Sequence, residues 1–195
     1  MLQVNTDEAL DHLRLTLEQE RREQAFHGPV WFLWGLILAK VLLAEWAIRV
    51  WEMPIRSVYV WGPTLLIGGA CTVAWAASVG LDLKRRPATS RFLGAVWGAV
   101  ALALLTLMVV SRGFGAFDPW LLPGLAAMLF GVGAFVHGSL GDRRPYRWAA
   151  LVWWAGAAGL LAAPGVHGLA GLAGLVIVGH VVPVGIRWWQ QRHAT

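Results

Sequence analysis

Residues 28–51 read GPVWFLWGLILAKVLLAEWAIRVW, and this stretch decides the fold. Apart from Lys40, Glu45 and Arg49 it carries no charge. A helix rises about 1.5 Å per residue, so a run of this length crosses a hydrocarbon core about 30 Å thick. The sequence before it, residues 1–27, is polar and charged, so the chain leaves water for lipid at Gly28. Five more apolar runs follow, at about 58–79, 92–110, 119–140, 148–163 and 168–186. Short polar linkers separate them.

Composition agrees with this reading. Of 195 residues, 57% are hydrophobic and only 14% are charged, with a mean hydropathy of +0.58. A soluble domain carries roughly 25% charged residues. Gly (23 residues) suits close helix packing, and Trp (13) suits the headgroup boundary. Gly94 and Gly98 have the GxxxG spacing that permits backbones to approach. The expected fold is therefore an all-α membrane protein. A six-transmembrane-helix bundle over 28–189 is preceded by a cytoplasmic amphipathic helix over 1–27 and followed by a cytoplasmic tail over 190–195. The first 27 residues do not resemble a cleavable signal peptide, which leaves the first span as the insertion signal.

Basic residues set the orientation. With the N-terminus inside, the inner segments hold Arg14, Arg21, Arg22, Lys84, Arg85, Arg86, Arg91, Arg143, Arg144, Arg147, Arg187 and Arg192. The outer segments hold Arg49, Arg56 and Arg112. Such a bias over short linkers places both termini in the cytoplasm. It also accounts for the net charge of +5 without a nucleic-acid partner. Cys71 is the only cysteine, so neither an internal disulfide nor a cysteine metal cluster is available.

The N-terminal segment has helical spacing. Leu10, Leu13 and Leu17 share one face, while Arg14, Glu18 and Arg22 follow at i,i+4 on the polar side. Two readings stay open: a surface helix lying on the bundle or membrane, or a helix that docks a partner through the three leucines. A weak repeat joins Trp34-Gly35, Trp97-Gly98 and Trp154-Ala155-Gly156 at similar depths in spans 1, 3 and 5. It is compatible with three parallel hairpins, and Gly/Ala/Leu/Trp-rich sequence also produces such echoes by chance.

Lys40 is the most unusual residue. An ammonium at the bilayer centre costs about 2.5–3.5 kcal/mol on insertion scales. Glu45 lies five residues on, about 140° around the helix, so it is poorly placed to pair with Lys40. Either Lys40 snorkels outward beside Glu45 and Arg49, or it lines a cavity. His180 is the second candidate, because Pro183 cannot donate to the carbonyl of Gly179 and frees an acceptor beside the imidazole. His137, in span 4, points to the same half of the membrane, and two facing histidines could ligate a haem iron.

Chemistry is otherwise sparse. No HExxH, GxSxG, Walker loop or cysteine pair occurs, so no catalytic or metal residue is assigned and no cofactor is expected. The favoured reading is a non-enzymatic multi-pass protein of the bacterial inner membrane, regulatory, sensing or interacting within a complex. Its partners would be the lipid bilayer and another protein or a second copy. The alternative is a small-solute or ion transporter using Lys40 and His180, with Glu45 near its path. Bis-histidine haem binding is the remote third.

From Pro87-Ala88-Thr89-Ser90-Arg91 to the C-terminus, the chain resembles a family of six-span bacterial membrane proteins with no established activity. In that family a similar segment precedes span 3, and a histidine stands before a glycine in the last span, as His180 and Gly185 do here. An amphipathic N-terminal helix like Asp7 to Glu23 is typical as well. Members are often encoded beside a winged-helix transcriptional regulator, so the resemblance implies a regulatory or sensing role. Lys40 has no counterpart in the family.

Overall fold

The helix that opens the chain does not stop where the polar sequence ends. In the computed structural model, which describes residues 6–78, 88–140 and 144–193, α1 runs unbroken over Thr6–Val50, with Pro29 inside it. The N-terminal segment and span 1 are therefore one continuous helix, and the division at Gly28 is one of composition. Proline removes one N–H, and the loss of one bond among 45 residues does not end a helix. The side chains of Leu10, Leu13 and Leu17 lie outside the described residues. So do the linker around Lys84, Arg85 and Arg86, together with Arg143 and the last two residues.

α1 ends in a Schellman-type cap. Glu52 adopts φ 50°, and Met53 N–H reaches back to Ile48 O at 2.9 Å. Then follow α2 (Val58–Ser78) and α3 (Ala88–Phe114). A short 3-10 turn at Pro119–Leu121, capped by Asp118 accepting from Trp120 N–H at 2.9 Å, leads into α4 (Leu122–Ser139). α5 (Arg144–Ala162) and α6 (His167–Val176) follow. A π-helical turn at Ile177–Val181 joins α6 to α7 (Val182–His193) without a break. No strand occurs among the described residues.

Among the described residues, five stretches are long and apolar enough to cross a membrane: Gly28–Val50, Val58–Ser78, Ser90–Phe114, Pro119–Ser139 and His167–Ile186. α5 falls short of the sixth. It opens on Arg144 and Arg147 and holds three tryptophans, which hydropathy counts as weakly polar. Its packing nevertheless follows α4 from end to end. A side chain at Gly124 would meet Leu161, one at Gly131 would meet Trp154, and one at Gly138 would meet the backbone of Arg147 at 2.8 Å. Each step of seven along α4 matches a step of seven back along α5, so the two helices are antiparallel over their whole length.

The same logic orders the rest. α5 lies antiparallel to the last helix, with Gly156 against Leu175, Leu160 against Gly171 and Trp153 against Gly179. α1 also opposes it, with Gly35 under His180 and Trp46 Nε1 donating to His167 Nδ1 at 3.2 Å. The core among α1, α4, α5 and α6 is mostly alanine: Ala39, Ala126, Ala127, Ala134, Ala150, Ala157 and Ala173 surround Trp153 and Val176. Small residues bring backbones together where burial from lipid supplies no hydrophobic drive.

α2 and α3 stand at the periphery. Only 6% of the apolar 18-residue window in each is buried, against 39% for that of α4. α2 leans on α1 through Gly68, which faces Trp34 and Ile37, and Trp34 Nε1 donates to Thr72 Oγ1 at 2.8 Å. The GxxxG expectation for α3 is corrected within the chain: a Cβ on Gly94 or Gly98 would touch nothing within 4 Å. The glycines that admit close approach lie on the other helices, among them Gly131 and Gly138 on α4 and Gly156 on α5.

Candidate functional site

Pro183 sets up the site. Its ring cannot sit against the carbonyl four residues back, and its nitrogen has no proton to offer that carbonyl. The helix answers by widening, and Val182 N–H bonds Ile177 O, five residues back. The freed carbonyl of Gly179 is then taken by Trp153 Nε1–H of α5 at 3.1 Å. Glycine is needed at 179, because a Cβ there would stand 2.7 Å from that indole nitrogen. The acceptor expected beside His180 exists, but a tryptophan fills it rather than a solute.

His180 lies in the widened turn. Its Nε2 is 3.1 Å from Trp31 O on α1, and a carbonyl only accepts, so Nε2 carries the proton. Gly35 makes room for it, since a Cβ at 35 would come within 2.7 Å of the imidazole Cδ2. The ring packs edge-on to Trp31 at 5.6 Å. Trp31 meets Trp97 of α3 at 5.0 Å, Trp97 meets Phe130 of α4 at 6.0 Å, and Phe130 stacks on Trp153 at 5.1 Å. The Trp153 bond to Gly179 closes the circuit beside His180. Five helical segments thus meet in one ring of aromatic contacts.

A cavity of about 10 Å³ opens within this ring, lined by Trp31, Trp97, His137, Tyr146, Trp153 and His180. It has room for about one water molecule. The Trp97 indole N–H is buried with no partner among the described residues, so a water there would satisfy it. His137 does share this site with His180, as its direction along span 4 suggested, and it stacks on Tyr146 with ring centroids 4.4 Å apart. A space for one water does not hold a haem, so the residues present do not fit that group. Among the described residues no three metal-ligating side chains gather.

Glu45 and Lys40 lie elsewhere. Glu45 is 5% exposed and accepts from Arg49 Nη2 and Ser57 Oγ, each at 2.6 Å. Arg49 in turn lies over the Trp120 ring at 5.7 Å. The cluster clasps the end of α1 to the next loop and to the start of α4. The other Glu45 oxygen is buried without a partner among the described residues. Lys40 is exposed, on the face of α1 away from Glu45, and among the described residues it has no hydrogen bond or ion pair. Nine residues separate it from Trp31, about 14 Å along the axis, so Lys40, Glu45 and His180 do not form one site.

The aromatic ring was invisible to sequence reasoning that took tryptophan as a boundary residue. One signal pointed to it: Gly179 four residues before Pro183 in an apolar run marks a carbonyl that another helix must satisfy. No family model, no curated protein and no solved structure matches this chain.

Proposed function

We propose that the protein is a non-enzymatic, multi-pass component of a membrane complex, acting through its helical faces and its N-terminal helix. The observation that carries this is the dispersal of the polar groups. Lys40 faces outward, Glu45 is locked to Arg49 and Ser57, and His180 adjoins a cavity of about 10 Å³. A transporter needs a wet path between such groups, and their separation into an exposed lysine, a locked carboxylate and a histidine beside a one-water cavity favours an interacting scaffold. The resemblance to six-span bacterial proteins encoded beside regulators supports the same reading, with a regulatory or sensing output. Extraction of the full chain from its native membrane in lipid nanodiscs tests it. A stoichiometric protein partner is expected, and solute flux through the purified protein alone would overturn it.

The reading includes six crossings with both termini in the cytoplasm of a bacterial inner membrane, α5 being the crossing that hydropathy alone misses. Its support is the end-to-end antiparallel match of α5 to α4 and the bias of basic residues. Reporter fusions after Leu81 and Leu140 are expected to read inside, and those after Glu52 and Phe114 outside. A C-terminal reporter reading outside would reduce the count to five.

The polar half of α1 is assigned to partner engagement. Deleting residues 1–22 should leave the bundle folded, because the aromatic ring and the core draw on α1 only from Trp31 onward. The same deletion should abolish co-purification of any cytoplasmic partner. Full retention of partners would leave this segment as a plain surface helix.

A further inference from the structure

Lys40 stands in a pattern that the chain itself leaves unused. Leu36, Lys40, Leu43 and Val50 are exposed and Ala47 is half-buried, at spacings of four, three, four and three. That is the seam of a left-handed helix pair, with the lysine at its centre. α2 covers the neighbouring face through Trp34 and Ile37, and the last helix covers the opposite one through Gly35 and Trp46. The seam between them is open. Lys40 lies near the middle of the membrane-length stretch Gly28–Val50, ten residues from its end. Its four-carbon stem cannot span the roughly 15 Å that those ten residues represent.

We propose that this seam receives a membrane-spanning helix of a different protein, which places an aspartate or glutamate opposite Lys40. The inference rests on the interaction reading above and names the chemistry of the partner. An unpaired ammonium facing lipid is unfavourable, and a carboxylate at the same depth removes the penalty in a medium where ion pairs are strong. A second copy cannot supply the acid. Glu45 is the one carboxylate within a span, and it is buried and held by Arg49 and Ser57. The other acids lie in the polar segments, so two copies pairing on this seam would set lysine against lysine. A single polar position in an apolar seam also fixes the register of the pair.

The test uses the full-length protein in its native membrane, with p-benzoylphenylalanine at Leu36 or Leu43 and, separately, at Val73 on α2 and Leu102 on α3. Irradiation from Leu36 and Leu43 should join the chain to one other protein, and the attached membrane segment should contain an acidic residue. Lys40→Met should cut that yield at least tenfold, Lys40→Arg should keep it, and neither should change the melting temperature by more than a few degrees. Adducts only to lipid or to a second copy, a partner segment without a carboxylate, or a yield indifferent to Lys40→Met would each overturn the proposal. Adducts from Val73 or Leu102 alone would refute this seam and leave the interaction reading standing. No protein adduct from any of the four positions would refute the seam, and the further lack of a stoichiometric partner in nanodiscs would refute the interaction reading as well.

Discussion

Trp153→Ala should lower stability by about 3–5 kcal/mol, the range for emptying an aromatic site in a packed core. Trp153 is 2% exposed, stacks on Phe130 and closes the contact ring by donating to Gly179 O. Alanine removes the packing and leaves a void among residues that are already small, so the neighbours have little bulk with which to collapse inward. It also orphans the carbonyl that Pro183 cannot satisfy. Trp153→Phe separates the two contributions. The ring stays, the donor goes, and the expected loss is only about 0.6–2 kcal/mol, the span measured for interhelical hydrogen bonds in membranes. Unfolding in mixed micelles with a denaturing detergent measures both. Equal losses for the two variants would show that the hydrogen bond, not the packing, holds the ring.

Gly138→Ala should be the most damaging single methyl in the chain. The new Cβ would stand 2.8 Å from the Arg147 backbone nitrogen, and a backbone cannot swing aside as a side chain tip can. Overpacking costs about 1–3 kcal/mol, and the rigid neighbour puts this site at the upper end. Gly98→Ala is the matched control on α3, where a Cβ meets nothing within 4 Å. It should change stability by no more than about 0.5 kcal/mol. The same detergent titration compares them. A Gly98→Ala loss as large as that of Gly138→Ala would mean that α3, too, packs through its glycines.

The membrane-length helices were legible because hydropathy is a property of a window of residues. The apolar runs at 28–51 and 168–186 match the membrane-length stretches Gly28–Val50 and His167–Ile186, although the helices that carry them extend further. The unbroken α1 was not legible, because a change of composition at Gly28 does not say whether the backbone helix continues through Pro29. Only the geometry reveals that one lost hydrogen bond leaves the helix intact. The roles of the glycines were not legible either. Gly94 and Gly98 carry the familiar spacing and face outward, while Gly124, Gly131 and Gly138 do the packing at a spacing of seven. Spacing tells which glycines share a face but not what that face meets. The 140° between Lys40 and Glu45 followed from helix geometry, and their separate surroundings agree with it. That His180, His137 and Trp153 converge required the register of three helices against each other, and that is information no single stretch contains.

The seven-residue match between α4 and α5 bears on how the protein is made. In the six-span arrangement, α5 is the segment least able to partition into lipid unaided, since arginines and tryptophans dilute its apolar character. Its partner emerges from the ribosome first, already carrying glycine gaps that fit Trp154 and Leu161. α5 would then enter the bilayer as one arm of a hairpin, with α4 serving as its solvent during synthesis. Filling Gly131 with a large side chain would therefore act before folding is complete, by stranding α5 outside the membrane while the ribosome is still working.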